Sequence, residues 1–161
     1  MNDLVQWLGA QLDEDERRVR AAADMIGPVL GALNWKARKG LSDEGGDYWV
    51  ITTVPPSDTA ATVELVGSGM SGGGVHGEAL AVHIAAHDPA RVLREIDAQR
   101  KLLELHRPSK PTGRPSMERH CLTCTTAQAW DEKASESNCL TMRLLALPYA
   151  DRAGYREEWR S

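Results

Sequence analysis

A chain of 161 residues is long enough for one domain with a core of its own, and 42% hydrophobic with 26% charged residues excludes wholesale disorder. Five Trp and three Tyr with no Phe leave the core to Leu, Val, Ala, Ile and indole rings. A net charge of −4 excludes a protein that coats nucleic acid through its overall field.

In chain order, the first expected element is a helix over residues 1–26. Leu4, Leu8, Leu12, Val19, Ala22 and Ile26 recur at helical steps. Asp13–Arg17, Glu14–Arg18 and Glu16–Arg20 set acid before base at i,i+4, and Gly27-Pro28 ends the run. The pattern then changes. Residues 48–54 (YWVITTV) are β-branched and aromatic, and residues 62–66 (TVELV) alternate. Turn formers at 42–47 and 55–58 bracket them, so a small antiparallel meander is expected over 33–66, with 34–37 as a further strand. Residues 67–74 (GSGMSGGG) read as a flexible loop.

Helical character resumes over 78–106. Asp88-Pro89 is a restart signal, with Asp88 as N-cap and Pro89 in the first turn, where its missing N–H costs nothing. Val92, Leu93, Ile96, Leu103 and His106 line one side of this helix. A Pro-rich basic linker follows over 107–118, then a Cys-rich C-terminal segment over 119–161. This last segment holds a short helix near 140–147 and an aromatic tail. The longest apolar run, 79–86, carries His83 and is far short of the roughly 20 residues a spanning helix needs. No basic, small-residue export signal opens the chain, and three cysteines suit a reducing compartment. No membrane association and a cytoplasmic location are therefore expected.

Cys121-Leu-Thr-Cys124, with Cys139 fifteen residues beyond, carries the most chemistry. A C-x-x-C turn lets two thiolates face one ion, and a third Cys can close over it. The expected ligands of a structural zinc ion are Cys121, Cys124, Cys139 and His120. His106 and Asp151 are the other candidates for the fourth place, because adjacent His120 and Cys121 ligate together awkwardly. Three ordinary reduced thiols are the competing account.

His76-Gly-Glu78 with Cys121 and Cys124 imitates the zinc nucleobase deaminases, whose H-x-E and P-C-x-x-C build the ion site and whose Glu moves protons. His120 in place of the Pro, and a Cys139 left without a role, argue against it. His83 and His87 share a helix face, but Ile84 stands where a zinc protease has its general base. Both histidines are expected to be structural, one near the helix restart and one partly packed. Gly67, Gly69 and Gly72 match G-x-G-x-x-G without the surrounding βαβ pattern. Arg107, Lys110, Arg114 and Arg119 could touch phosphates, although a hydrated spacer is the more usual meaning of such a stretch.

Two segments resemble a known family. His83-Ile-Ala-Ala-His87-Asp-Pro-Ala-Arg-Val-Leu-Arg-Glu95 is similar to the central signature of a family of small proteins of unknown function from actinobacteria and their phages. The stretch from Cys139 through Leu147-Pro-Tyr-Ala-Asp to Tyr155-Arg-Glu-Glu-Trp159 resembles its C-terminal signature. The opening Asp3-Leu-Val and Asp13-Glu-Asp-Glu16 are similar too. The resemblance implies no activity. It implies a C-x-x-C followed by a third Cys, matched by Cys121, Cys124 and Cys139, and a tail reading Tyr-Ala-Asp-His-Pro. Here Arg152 and Ala153 stand in the last two places, so if the family's fourth ligand is that histidine, this chain has lost it, and either zinc is not bound or the duty shifts to His120, His106 or Asp151.

The expectation is thus a single α+β domain over 1–161, with two long helices, a small meander and a metal-pinned C-terminal segment. The expected function is that of a non-enzymatic adaptor or regulator acting on a protein partner. A zinc deaminase or hydrolase and a nucleic-acid accessory protein are the alternatives.

Overall fold

The computed structural model describes residues 2–27, 32–40, 48–54, 64–66, 74, 75, 77–108, 121, 123, 124 and 139–160. The architecture is α+β, and it falls into two compact units. One joins Met1–Asp15 to Ile96–Ser161, and the other is Glu16–Glu95. Two long helices, α1 (Asn2–Ile26) and α3 (Pro89–Leu105), are each divided by this boundary. No helix among the described residues is long and apolar enough to cross a membrane. The loop expected at 67–74 and the linker expected at 107–118 lie outside the described residues, apart from positions 74, 107 and 108.

In α1, Leu4, Leu8 and Leu12 form the buried stripe. Further along, Ala23 is buried and Ala22 exposed, the reverse of the expected stripe. Eleven residues make about three turns, so position 23, not 22, returns to the azimuth of Leu12. Gly27 ends the helix at φ 85°, a left-handed conformation that glycine adopts freely, and its N–H donates to Ala23 O at 3.0 Å.

In the unit Glu16–Glu95, β1 (Trp35–Lys39), β2 (Trp49–Thr53) and β3 (Glu64–Val66) form an antiparallel sheet in that order. Ala37 lies opposite Ile51, and Ile51 opposite Val66, with a register shift at Ile51/Thr52. Helix α2 (Glu78–Ala86) lies on this sheet. Its two buried alanines, Ala81 and Ala85, stand one turn apart, and their small side chains let the helix settle close. They pack with Ile51 and Val75, flanked by Trp35, Ala37, Trp49, Leu65 and Ile84. Periodicity does not single out α2 as the covering helix, because apolar residues run all round it. Asp88 caps α3 as expected: its Oδ1 accepts the Arg91 N–H at 2.7 Å, and its Oδ2 accepts the Trp35 N–H at 3.4 Å.

In the other unit, α4 (Leu140–Ala146) runs into a 3₁₀ turn, Leu147–Tyr149, and a second such turn, Glu157–Trp159, follows. This tail wraps Trp7 of α1. Its ring centre lies 6.4 Å from Tyr149, 5.7 Å from Tyr155 and 5.2 Å from Trp159, and its Nε1–H donates to Ala153 O at 3.1 Å. Charged groups join the same pieces. Arg152 meets Asp15 at 2.6 Å, Arg156 meets Asp3 at 3.1 Å, and Arg100 of α3 meets Asp13 at 2.5 Å.

Candidate metal centre

Three stretches of one unit converge where α3 ends. His106 follows directly on α3, its N–H donating to Leu102 O at 3.0 Å. Cys121 pairs through an isolated bridge with Pro108, and the Thr123 hydroxyl donates to Leu105 O. The C-x-x-C turn is thereby hung on the last turn of α3. Cys139 is the residue before α4 and accepts the Arg143 N–H on its carbonyl at 3.1 Å.

The side chains meet. His106 Nδ1 lies 3.4 Å from Cys121 Sγ, 3.5 Å from Cys124 Sγ and 3.4 Å from Cys139 Sγ, while the Cys124 and Cys139 sulfurs are 3.8 Å apart. All four ligand atoms lie within 4.8 Å of one another. A zinc tetrahedron with Zn–S of about 2.3 Å and Zn–N of about 2.05 Å has edges of roughly 3.8 Å between sulfurs and roughly 3.5 Å between sulfur and nitrogen. The observed separations match those edges. The Cys124 and Cys139 sulfurs are too far apart for a disulfide, whose bond is about 2.05 Å, and none of the three cysteines is in one.

The electrostatics of the thiols follow from their crowding. Burial, reinforced by the neighbouring Cys121 and Cys139 sulfurs, pushes the Cys124 thiol up to about 12. Burial also raises Cys139 above its ordinary value. At Cys121 burial acts upward too, but hydrogen bonds from the Cys124 and Thr123 backbone and from the other two thiols outweigh it, and the thiol falls below 9.0. The Cys124 N–H reaches Cys121 Sγ at 3.4 Å, the sulfur-directed amide that a C-x-x-C turn provides. Without a cation, one thiolate is stabilised and further ionisation is opposed; a bound dication lifts that opposition.

The structure thus brings together Cys121, Cys124, Cys139 and His106, and these four could hold a metal ion. His120 lies outside the described residues, and so does His76. Asp151 is exposed in the turn after Tyr149, and Glu78 opens α2; neither is among the four. Arg152 bonds Asp15 and Gln11 and lies 4.6 Å over the Tyr149 ring. Of the basic residues weighed for phosphate contact, Arg107 pairs with Glu104 at 2.6 Å, and Lys110, Arg114 and Arg119 lie outside the described residues.

A family model described as a family of unknown function (DUF6221) matches residues 1–161. The chain belongs to that family. No curated protein and no solved structure matches this DUF6221 chain.

One expectation is corrected at the H-x-x-x-H pair. His83 and His87 are both exposed, so neither is a packed histidine. Ile84, between them, is the residue that turns inward to the core of its unit. What sequence reasoning missed was the role of Trp7 as the receptor of the tail. Its partners lie some 140 residues away, and no periodicity carries that signal.

Proposed function

We propose that this protein is a non-enzymatic adaptor or regulatory protein whose His106–Cys121–Cys124–Cys139 centre binds zinc and serves structure. The observation that carries the reading is that four of the six ligand-atom separations lie close to the edge lengths of a zinc tetrahedron, with all four atoms within 4.8 Å of one another. Four protein ligands fill the coordination sphere of zinc, leaving no position for substrate or an activated water; catalytic zinc sites keep one open. Neither His76 nor Glu78 is needed to complete the sphere, so nothing in the geometry favours the deaminase alternative. The net charge of −4 favours a protein partner over nucleic acid. The two signature stretches support an actinobacterial or phage origin.

Metal analysis of the purified chain tests the reading. The expected result is about one equivalent of zinc, with Cys124→Ser and His106→Ala each lowering affinity by an order of magnitude or more. Less than half an equivalent, with all three thiols freely titratable, would overturn it. A Glu78→Gln chain should keep the zinc content and melting temperature of the parent.

A further inference from the structure

The H-x-x-x-H pair on α2 takes no part in the Cys-rich centre, and both rings stand exposed. Their centres are 4.4 Å apart, with planes inclined at 49°. The Nδ1–H of His87 donates to the carbonyl oxygen of His83 at 2.8 Å. A carbonyl can only accept, so in the neutral ring the proton sits on Nδ1 and the lone pair on Nε2 points away from the helix. A metal-binding histidine usually has this arrangement, with one nitrogen tied to a backbone carbonyl and the other offered to the ion.

The position adds to the geometry. α2 ends at Ala86, and His87 is its C-cap, its N–H donating to Ile84 O at 3.1 Å. The carbonyl end of a helix attracts positive charge. Arg91, whose Nη1–H donates to Ala86 O at 3.2 Å, brings its own counter-charge in Glu95 at 2.7 Å. Residues four apart share one side of a helix, so the two neighbouring rings can each offer a nitrogen to one ion.

We infer that His83 and His87 form a second, open metal site for a divalent ion of the zinc–nickel–copper group. Two imidazoles suit these ions and do not suit magnesium or calcium, which prefer oxygen. The protein supplies two adjacent positions of the sphere; water fills the rest until a ligand from another molecule replaces it. This site is independent of the zinc reading of the Cys-rich centre.

The test uses the full chain as purified, with whatever zinc it carries, and Ni²⁺ as the probe. A Cys124→Ser chain as a second parent separates nickel taken by the Cys-rich centre. Calorimetry should show one further saturable equivalent of nickel, and imidazole NMR should show paramagnetic broadening first at His83 and His87. His83→Asn and His87→Asn, both at exposed positions, should each weaken nickel binding by about tenfold or more while the zinc content stays unchanged. The inference is overturned by the absence of saturable nickel binding, by broadening centred on other histidines, or by variants that bind nickel as the parent does. The broadening experiment on the parent chain stands even if a variant folds poorly.

Discussion

Gly154 shows how much one residue can hold. Its φ of +85° is a conformation that side chains rarely adopt, and a Cβ built there would lie 2.9 Å from Trp7 Nε1. The indole whose N–H bonds Ala153 O therefore requires a glycine next door. Gly154→Ala combines backbone strain of about 1–2 kcal/mol with displacement of Trp7. The expected outcome is a drop of several degrees in melting temperature and a shifted indole fluorescence. Tyr149 offers a pH-dependent counterpart. Burial, then the Asp15 carboxylate, raises its phenol above the ordinary 10.0 against the opposing pull of Arg152. A raised value means that the fold holds the proton more tightly than the unfolded chain does. Its contribution is complete below pH 10 and is lost as pH climbs through the folded value. Ultraviolet titration should show a late phenol that Tyr149→Phe removes, and the parent should lose stability above pH 10 more steeply than the variant.

At the scale of elements, α4 is the informative case. Seven residues do not sustain a helix alone. This one is held by Cys139 at its head, by the buried Met142 and Ala146 along one side, and by Arg143, whose guanidinium donates to the carbonyls of Trp159 and Arg160. Removing the proposed metal with a chelator should raise amide hydrogen exchange across 140–149, and Cys139→Ser should reproduce that rise without chelator. Unchanged protection in both would show that packing alone secures the helix. The elements also show what sequence can reveal. α1, the Asp88 cap and the paired strands are legible because period 3.6, period 2 and capping chemistry are local. The azimuth of Ala23 and the seating of α2 were not, since the first depends on accumulated helical phase and the second on two alanines in an apolar run. Three members of the four-residue cluster were legible from Cys spacing. His106 was one candidate among several, because only the path of the chain between it and Cys121 decides which histidine arrives.

For the whole molecule, the order of periodic segments set the broad class correctly as α+β. That order could not show that the described residues gather into two units, because each long helix contributes to both. The unit containing the tail unites distant sequence, and its ion pairs are of the exposed or half-buried kind worth up to about 1 kcal/mol each. Burial of Leu4, Leu8, Leu12, Met142 and Ala146 and the aromatic contacts around Trp7 outweigh them, and the proposed zinc would add to these.

The pairing of Asp3 with Arg156, beside Trp7 and Trp159, has a topological consequence: residues at opposite ends of the numbering share one seam. Cross-linking positions 3 and 156 across this seam, through Asp3→Cys and Arg156→Cys, would keep the folded contacts while restricting the denatured chain. Loop-closure theory values that restriction at about 5 kcal/mol for a loop of this size. The cross-linked form should therefore melt well above its reduced parent. Equal melting temperatures would show that the seam opens before the rest of the protein gives way.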